Sequence, residues 1–305
     1  MDLALELAVR AEAMRHLKSR LEHDAIYFTR NEQFEYHGDR LRLMGAQTGI
    51  WKPRQLSAAL SISTTFTPPS RERPYDDADI GPDGLGRYKW RGTDPEQADN
   101  RALRAAMTHK LPLIWFRAFD RGRYVAIYPV YLVREEAEQH QFVVAVDAVQ
   151  QLDSIDMTYP GIDIQLAYAS RETRQRLHQA PFRAAVLDAY TCKCAVCRFG
   201  HASLLDAAHI TPDAEGGLPT VANGLSLCKM HHGAYDSGLI GITPDLTIEI
   251  NHDVLNEIDG PMLRHGIQEF HGRSLMVLPK HKAQRPDRDA LDLRYQQFLS
   301  SSSTR

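Results

Sequence analysis

Apolar residues recur at helical spacing near the start of the chain: Leu3, Leu5, Leu7, Ala8, Ala11, Met14, Leu17 and Leu21. That spacing predicts a helix over residues 3–22 that packs at a domain edge. From about residue 24 to 165 the texture changes to short β-like runs punctuated by Gly and Pro. LPLIWFRAF and YVAIYPVYLV read as two strands joined at the turn DRGR, and QFVVAVDAV, apolar on both faces, reads as a third, well-buried strand. Before them, residues 66–92 (FTPPSRERPYDDADIGPDGLGRYKWRG) form a long polar stretch, read as a loop that is functional or disordered. Helical periodicity returns over residues 170–190, with Ser170 as N-cap and Phe182, Val186, Leu187 and Tyr190 on one face. A domain boundary is expected just before it, dividing the chain into residues 1–167 and 168–305.

Composition changes this picture little. In 305 residues, charged side chains make up 25% and hydrophobic ones 43%, the balance of a soluble globular protein. A net charge of −3 argues against a protein that coats nucleic acid irrespective of sequence, which would be strongly basic, but leaves room for a local basic groove. The N-terminal segment is amphipathic and charged, unlike a secretory signal, and no apolar run reaches the ~20 residues of a membrane span. With no export signal, the four cysteines point to a reducing cytoplasm, where cysteines hold metals more often than disulfides.

The cysteine spacing is specific. Cys194 and Cys197 form C-x2-C, and Cys228 with His231 forms C-x2-H after a longer intervening stretch. Two short chelating pairs of this kind make a tetrahedral, structural zinc site, with Cys192 outside it. At ~100° per residue, Cys228 and His231 share one face of a helix, whereas His232 and Asp236 are centred about a quarter-turn away. Zinc is satisfied by the first four ligands, so His232 and Asp236 are left to a second metal.

Between the two pairs lie AAHI, a short apolar run placing His209 near a strand end, the turn PDAEGG, and NGL, carrying Asn223. His209, Asn223 and His232 in that order, with the flanking knuckle and the Tyr-Asp of HHGAYD, resemble the zinc-stapled HNH endonucleases of bacterial restriction systems over residues 170–250. The resemblance implies a ββα-metal fold and metal-dependent phosphodiester hydrolysis. By that likeness His209 is the general base, Asn223 positions the base or its loop, and His232 and Asp236 hold the catalytic metal. The family often has Asp or His immediately before the base, where this chain has Ala208. The metal is then held by only two protein groups with waters and phosphate oxygens, which suits Mg²⁺ or Mn²⁺. Asp206, on the same strand face as Ala208, is a possible substitute ligand.

The stretch from Pro74 to Phe119 resembles, more loosely, the SRA (YDG) domains that flip a modified cytosine out of duplex DNA, a likeness covering about residues 40–135. Its matching features are Tyr-Asp-Asp, a Gly-containing loop, an aromatic before Arg-Gly, and Asn-Arg-Ala-Leu opening a helix. A pocket for a flipped base wants aromatic faces and a carboxylate for the cytosine amino group. Tyr75 and Tyr88, with Trp90 as an alternate, are candidates for the faces, and Asp77 or Asp79 for the carboxylate. Arg71, Arg73, Lys89, Arg91 and Arg101 are phosphate contacts or solubility charges. A PUA-type module, or one reading phosphorothioate backbones, is the competing identity.

The expectation is therefore an α+β protein, a β-rich SRA/PUA-like reader followed by a zinc-stapled HNH domain, acting on double-stranded and modified DNA as a cytoplasmic restriction endonuclease. One active site per chain favours a homodimer for double-strand cleavage. The rival functions are an HNH nuclease with no modification requirement and a modified-DNA binding protein whose nuclease is weakened at Ala208.

Overall fold

The computed structural model describes residues 1–67, 80, 81, 83–146 and 175–302. The chain is a mixed α/β protein that folds as two units, Met1–Pro181 and Phe182–Arg305. The boundary expected at residue 168 lies outside the described residues.

The N-terminal unit is built on a six-stranded sheet ordered β3-β4-β6-β7-β8-β5. The strands are β3 (Ile50–Trp51), β4 (Ser61–Thr64), β5 (Gly86–Lys89), β6 (Leu113–Asp120), β7 (Arg123–Glu136) and β8 (Gln141–Ala145); a separate hairpin pairs β1 (Gln33–Tyr36) with β2 (Asp39–Arg42). The three strands read from the sequence are β6, β7 and β8. β7 joins them, pairing with β6 over residues 123–130 and with β8 over residues 131–136. β4 and β6 run parallel, with Ser61 opposite Ile114. The polar stretch 66–92 is not a loop throughout: its end is β5, antiparallel to β8, where Tyr88 faces Phe142.

Alternation along β6 builds both layers of the core. Leu113 and Trp115 join one apolar cluster, with Ala102, Leu103 and Ala106 of α2 (Ala98–Thr108). Ile114 and Phe116 join the other, with Val9, Ala13 and Leu17 of α1 (Leu3–Glu22). β6 is thus buried on both faces, which explains its unbroken apolar run.

α1 does more than cover an edge. Asp2 caps it, its Oδ1 accepting from Leu5 N at 3.1 Å. One turn on, Glu6 and Arg10 are each 1% exposed and form a 2.5 Å ion pair. Glu6 Oε1 accepts from the backbone N–H groups of Ser57 and Ala58, and Arg10 Nη2 donates to Ala59 O. The pair is therefore hydrogen-bonded into the strand-connecting segment that α1 packs on, as a buried charge requires.

In the C-terminal unit, α3 (Ala180–Ala189) buries Phe182, Val186, Leu187 and then Tyr190, the face read from the sequence. The expected start of that helix at Ser170 lies outside the described residues. A hairpin of β9 (Leu205–His209) and β10 (Gly224–Cys228) follows, with α4 (Lys229–Asp236) directly after it. β11 (Ile240–Ile242) and β12 (Ile248–Ile250) form a second hairpin, followed by α5 (His252–Asn256), α6 (Pro261–Gly266) and α7 (Arg288–Ser302). No helix among the described residues is long and apolar enough to cross a membrane.

Candidate functional site

Cys194, Cys197, Cys228 and His231 bring their ligand atoms within 4.8 Å of one another, an arrangement that can hold a metal. Cys192 is outside this group. Local backbone makes the knuckle: Thr191 and Cys192 adopt positive φ at the end of α3, and Cys194 N donates to Phe199 O while Arg198 N donates to Cys194 O. Cys228 closes β10 and caps α4, which sets its Sγ 3.1 Å from His231 Nδ1. The other ring nitrogen of His231 lies 2.8 Å from Gly266 O on α6. With Nε2 engaged there, Nδ1 is the nitrogen turned to the sulfurs, the kind of second contact that orients a metal-bound imidazole.

Electrostatics match this donor set. Hydrogen bonds from Cys194 and Cys197 hold the Cys228 thiol far below its ordinary range, against its burial. Burial alone would lower His231, but hydrogen bonds with Cys194 and Cys228 raise it to about 9. Sulfurs and an imidazole that share protons in this way are a set from which a soft divalent cation displaces those protons.

The ββα unit of β9, β10 and α4 carries the second group. His209 ends β9 opposite Gly224, the first residue of β10. Its ring stacks on Phe182, centroids 4.1 Å apart and planes inclined by 21°. A Cβ on Gly224 would lie 2.5 Å from Val186 Cγ2 and 3.0 Å from Phe182, so the glycine is what admits this packing. Burial lowers the His209 pKa below its ordinary 6.5, with Asp213 pulling it up, His232 pushing it down and Asp236 pulling it up in smaller measure. The imidazole is thus neutral at neutral pH and able to accept a proton.

Asn223, 8% exposed, is turned to the loop rather than to the His209 ring. Its Oδ1 accepts from Thr211 N at 2.8 Å, and its Nδ2 donates to Thr211 O and Leu218 O, each at 3.0 Å. The loop closes so tightly that a Cβ on Gly217 would fall 1.9 Å from Thr211 O.

His231 and His232 diverge as their helical positions require. His231 is fully buried among the sulfurs, while His232 is partly exposed with Nε2 3.2 Å from Asp236 Oδ2. The opposite nitrogen, Nδ1, lies 3.4 Å from Asp206 Oδ2. Asp206 is further bound by Lys229 Nζ at 2.6 Å, with Arg183 Nε at 3.8 Å. Ala208 is wholly buried. Sequence reasoning named the histidines and Asn223 but gave no part to Phe182, Lys229 or Arg183. Phe182 had a signal only as an apolar helix position, and its contact with His209 depends on how α3 meets the hairpin.

In the N-terminal unit, Tyr75, Asp77 and Asp79, with Arg71 and Arg73, lie outside the described residues. Tyr88 and Trp90 are 3% and 6% exposed and belong to the apolar core. Tyr88 meets Trp115 edge-on and its hydroxyl lies 3.4 Å from Ser63 O; Trp90 packs against His140 and under the Arg104 guanidinium. Both nevertheless border a cavity of about 260 Å³ together with Gln47, Thr48, Ser63 and Thr65. The buried Trp90 Nε1–H meets no acceptor among the described residues. Arg30 holds the Gly45–Thr48 turn at the cavity's edge, donating to Gly45 O and Thr48 O at 2.6 and 3.1 Å. Arg91 pairs with Asp99 at 2.6 Å, Lys89 donates to Gln141, and Arg101 donates to Glu96 O.

Residues 194–243 match the family of HNH endonucleases. No curated protein matches the chain in sequence. Among solved structures, a modification-dependent TagI restriction endonuclease is 18% identical, covering 83% of this chain and 86% of its own, with a TM-score of 0.32. The type IV phosphorothioation-dependent restriction endonuclease ScoMcrA is 11% identical, covering 85% of this chain and 53% of its own, with a TM-score of 0.23. Likenesses this slight carry no argument about fold or substrate. The segment match does: the chain contains an HNH endonuclease domain and is a nuclease.

Proposed function

We propose that the chain is a modification-dependent DNA endonuclease, residues 1–167 reading a modified cytosine and residues 168–305 hydrolysing a phosphodiester bond. The observation that supports the reading most is the neutral, half-buried His209 stacked on Phe182 within the same ββα unit as His232 and Asp236. His209 takes a proton from the attacking water, for which a neutral imidazole has nearly the right basicity at pH 7. Asn223 fixes the 211–218 loop that follows the base. His232 and Asp236 offer one nitrogen and one carboxylate to the solvent side, a donor pair that fits Mg²⁺ or Mn²⁺ with open positions for water and phosphate oxygens. A divalent cation bound there supplies charge neutralisation at the leaving oxygen. The three thiols and His231 fit Zn²⁺, which would serve structure alone because the tetrahedron is closed by protein.

For the reader, the cavity beside Tyr88 and Trp90 supports a base pocket, with the Trp90 Nε1–H, unpartnered among the described residues, as a donor and Asp77 or Asp79 as the carboxylate acceptor. Tyr75 and Tyr88, with Trp90 as an alternate, are the residues assigned to stack on the base. The enzyme acts in the cytoplasm on double-stranded DNA, as a homodimer where both strands are cut. A second reading, an HNH nuclease with no modification requirement, is favoured by one observation: Tyr88 and Trp90 are too buried to offer a base a broad face.

The test is digestion of phage DNAs carrying methylated, hydroxymethylated and plain cytosine, with Mg²⁺, Mn²⁺ or EDTA. Cleavage confined to modified DNA and abolished by EDTA is expected. Equal cleavage of plain DNA selects the second reading, and no cleavage with either metal rejects the nuclease assignment.

A further inference from the structure

We propose that Asp206 is a positioning residue that sets the tautomer of His232, leaving His232 Nε2 to a divalent cation beside Asp236. The inference rests on the reading of His232 and Asp236 as the holders of that cation.

The His232 ring lies between two carboxylates, with Asp206 Oδ2 3.4 Å from Nδ1 and Asp236 Oδ2 3.2 Å from Nε2. A neutral imidazole carries one N–H, and only the other nitrogen can bind a metal. The surroundings of the two carboxylates decide which nitrogen is which. Asp206, with a side chain 23% exposed, is already engaged by Lys229 at 2.6 Å and approached by Arg183 at 3.8 Å. A cation ligated by Asp206 Oδ2 would have to displace the Lys229 ammonium from that oxygen. Asp236 is 58% exposed, with Arg294 no nearer than 4.0 Å, so its outer side is open to water and phosphate oxygens.

Asp206 therefore accepts from Nδ1–H, and Lys229 and Arg183 hold it as an anion in place. This is the carboxylate–imidazole–metal arrangement that fixes ring orientation and raises ligand basicity. It also accounts for Ala208, which is wholly buried in the hairpin: on this strand the carboxylate serves the histidine rather than the metal.

The experiment uses the full-length protein, ¹⁵N-labelled at histidine, at pH 8 without added divalent cation. Two-bond ¹H–¹⁵N correlation, with the His232 signals assigned through His232→Gln, reads the tautomer. The wild type is expected as Nδ1–H, Asp206→Asn should keep it because the amide oxygen still accepts, and Asp206→Ala should revert to Nε2–H. Mn²⁺ binding to the same proteins without DNA, followed by electron paramagnetic resonance, should weaken about 10- to 100-fold in Asp206→Ala and only a few-fold in Asp206→Asn. Any wild-type state other than Nδ1–H overturns the proposal, as does Asp206→Asn losing Mn²⁺ as severely as Asp206→Ala, the mark of a direct ligand. Undiminished Mn²⁺ binding by Asp236→Ala would instead overturn the metal assignment, while the tautomer result would stand.

Discussion

The ring of Phe182 lies flat on the imidazole of His209 at 4.1 Å, and Gly224 across the hairpin leaves the room for it. The contact removes water from one face of the base. His209→Ala should lower the cleavage rate at least ~10²-fold while fold, bound zinc and DNA affinity persist. If His209 is the general base it works when neutral, so activity should fall as pH drops through its lowered pKa, below 6.5. Phe182→Ala rehydrates the ring and should move that limb to higher pH. Near-normal turnover by His209→Ala, or a limb that stays put in Phe182→Ala, would reject the assignment.

The knuckle should behave as a folding element. Cys197→Ser is expected to lose zinc, read by elemental analysis, and with it the melting transition of the C-terminal unit, because the binding free energy of a structural zinc is folding free energy. A mutant retaining one equivalent of zinc and a normal transition contradicts this.

If His232 and Asp236 hold the metal, His232→Ala and Asp236→Ala should act through metal affinity rather than through proton transfer. Raising Mn²⁺ should restore part of their cleavage, whereas no concentration should restore His209→Ala. Rescue of all three variants alike, or of none, would contradict the division of roles.

For the reader, the His209→Ala protein provides binding without cutting. It should prefer duplexes with modified cytosine, by about 1–3 kcal/mol for each stacking or polar base contact. Replacing Asp77 and Asp79 together by Ala should erase the preference and leave a salt-dependent background from phosphate contacts. Equal affinity of the parent protein for all duplexes would remove the reader and keep the nuclease.

Glu6→Ala should cost about 3–5 kcal/mol in denaturant unfolding of the N-terminal unit, since it strands Arg10 as a buried, unpaired charge. The double variant Glu6→Ala/Arg10→Met should recover part of that loss. It should not recover all, because Ser57 N, Ala58 N and Ala59 O lose their partners. A loss below ~1 kcal/mol would mean that the pair is dispensable.

That ion pair also marks where the sequence stops being readable. A Glu and an Arg four apart on an amphipathic helix look like any solvated pair, and only the arrival of residues 57–59 buries them. α1, β6 and β7 were legible because local periodicity encodes them. β5 was not, because Gly-Arg-Tyr-Lys has no alternation of its own and becomes a strand by pairing with β8. The parallel pairing of β4 with β6 likewise joins segments far apart in the chain, Ser61 with Ile114. In the candidate site, the order of His209, Asn223 and His232 was plain, since ligand spacing is a local property. The role of Asp206 was left open because strand alternation says which face a side chain takes, not which partner it meets there.

Cys228 ends a strand, caps α4 and belongs to the thiol group, and His232 stands on the same helix four positions later. The two centres are consequently mounted in series on one short, stiff beam. Inserting or deleting a residue in the first turn of α4 would rotate one set of side chains against the other by about 100°. The interval between Cys228 and His232 is thus a fixed gauge length, set by one turn of α4.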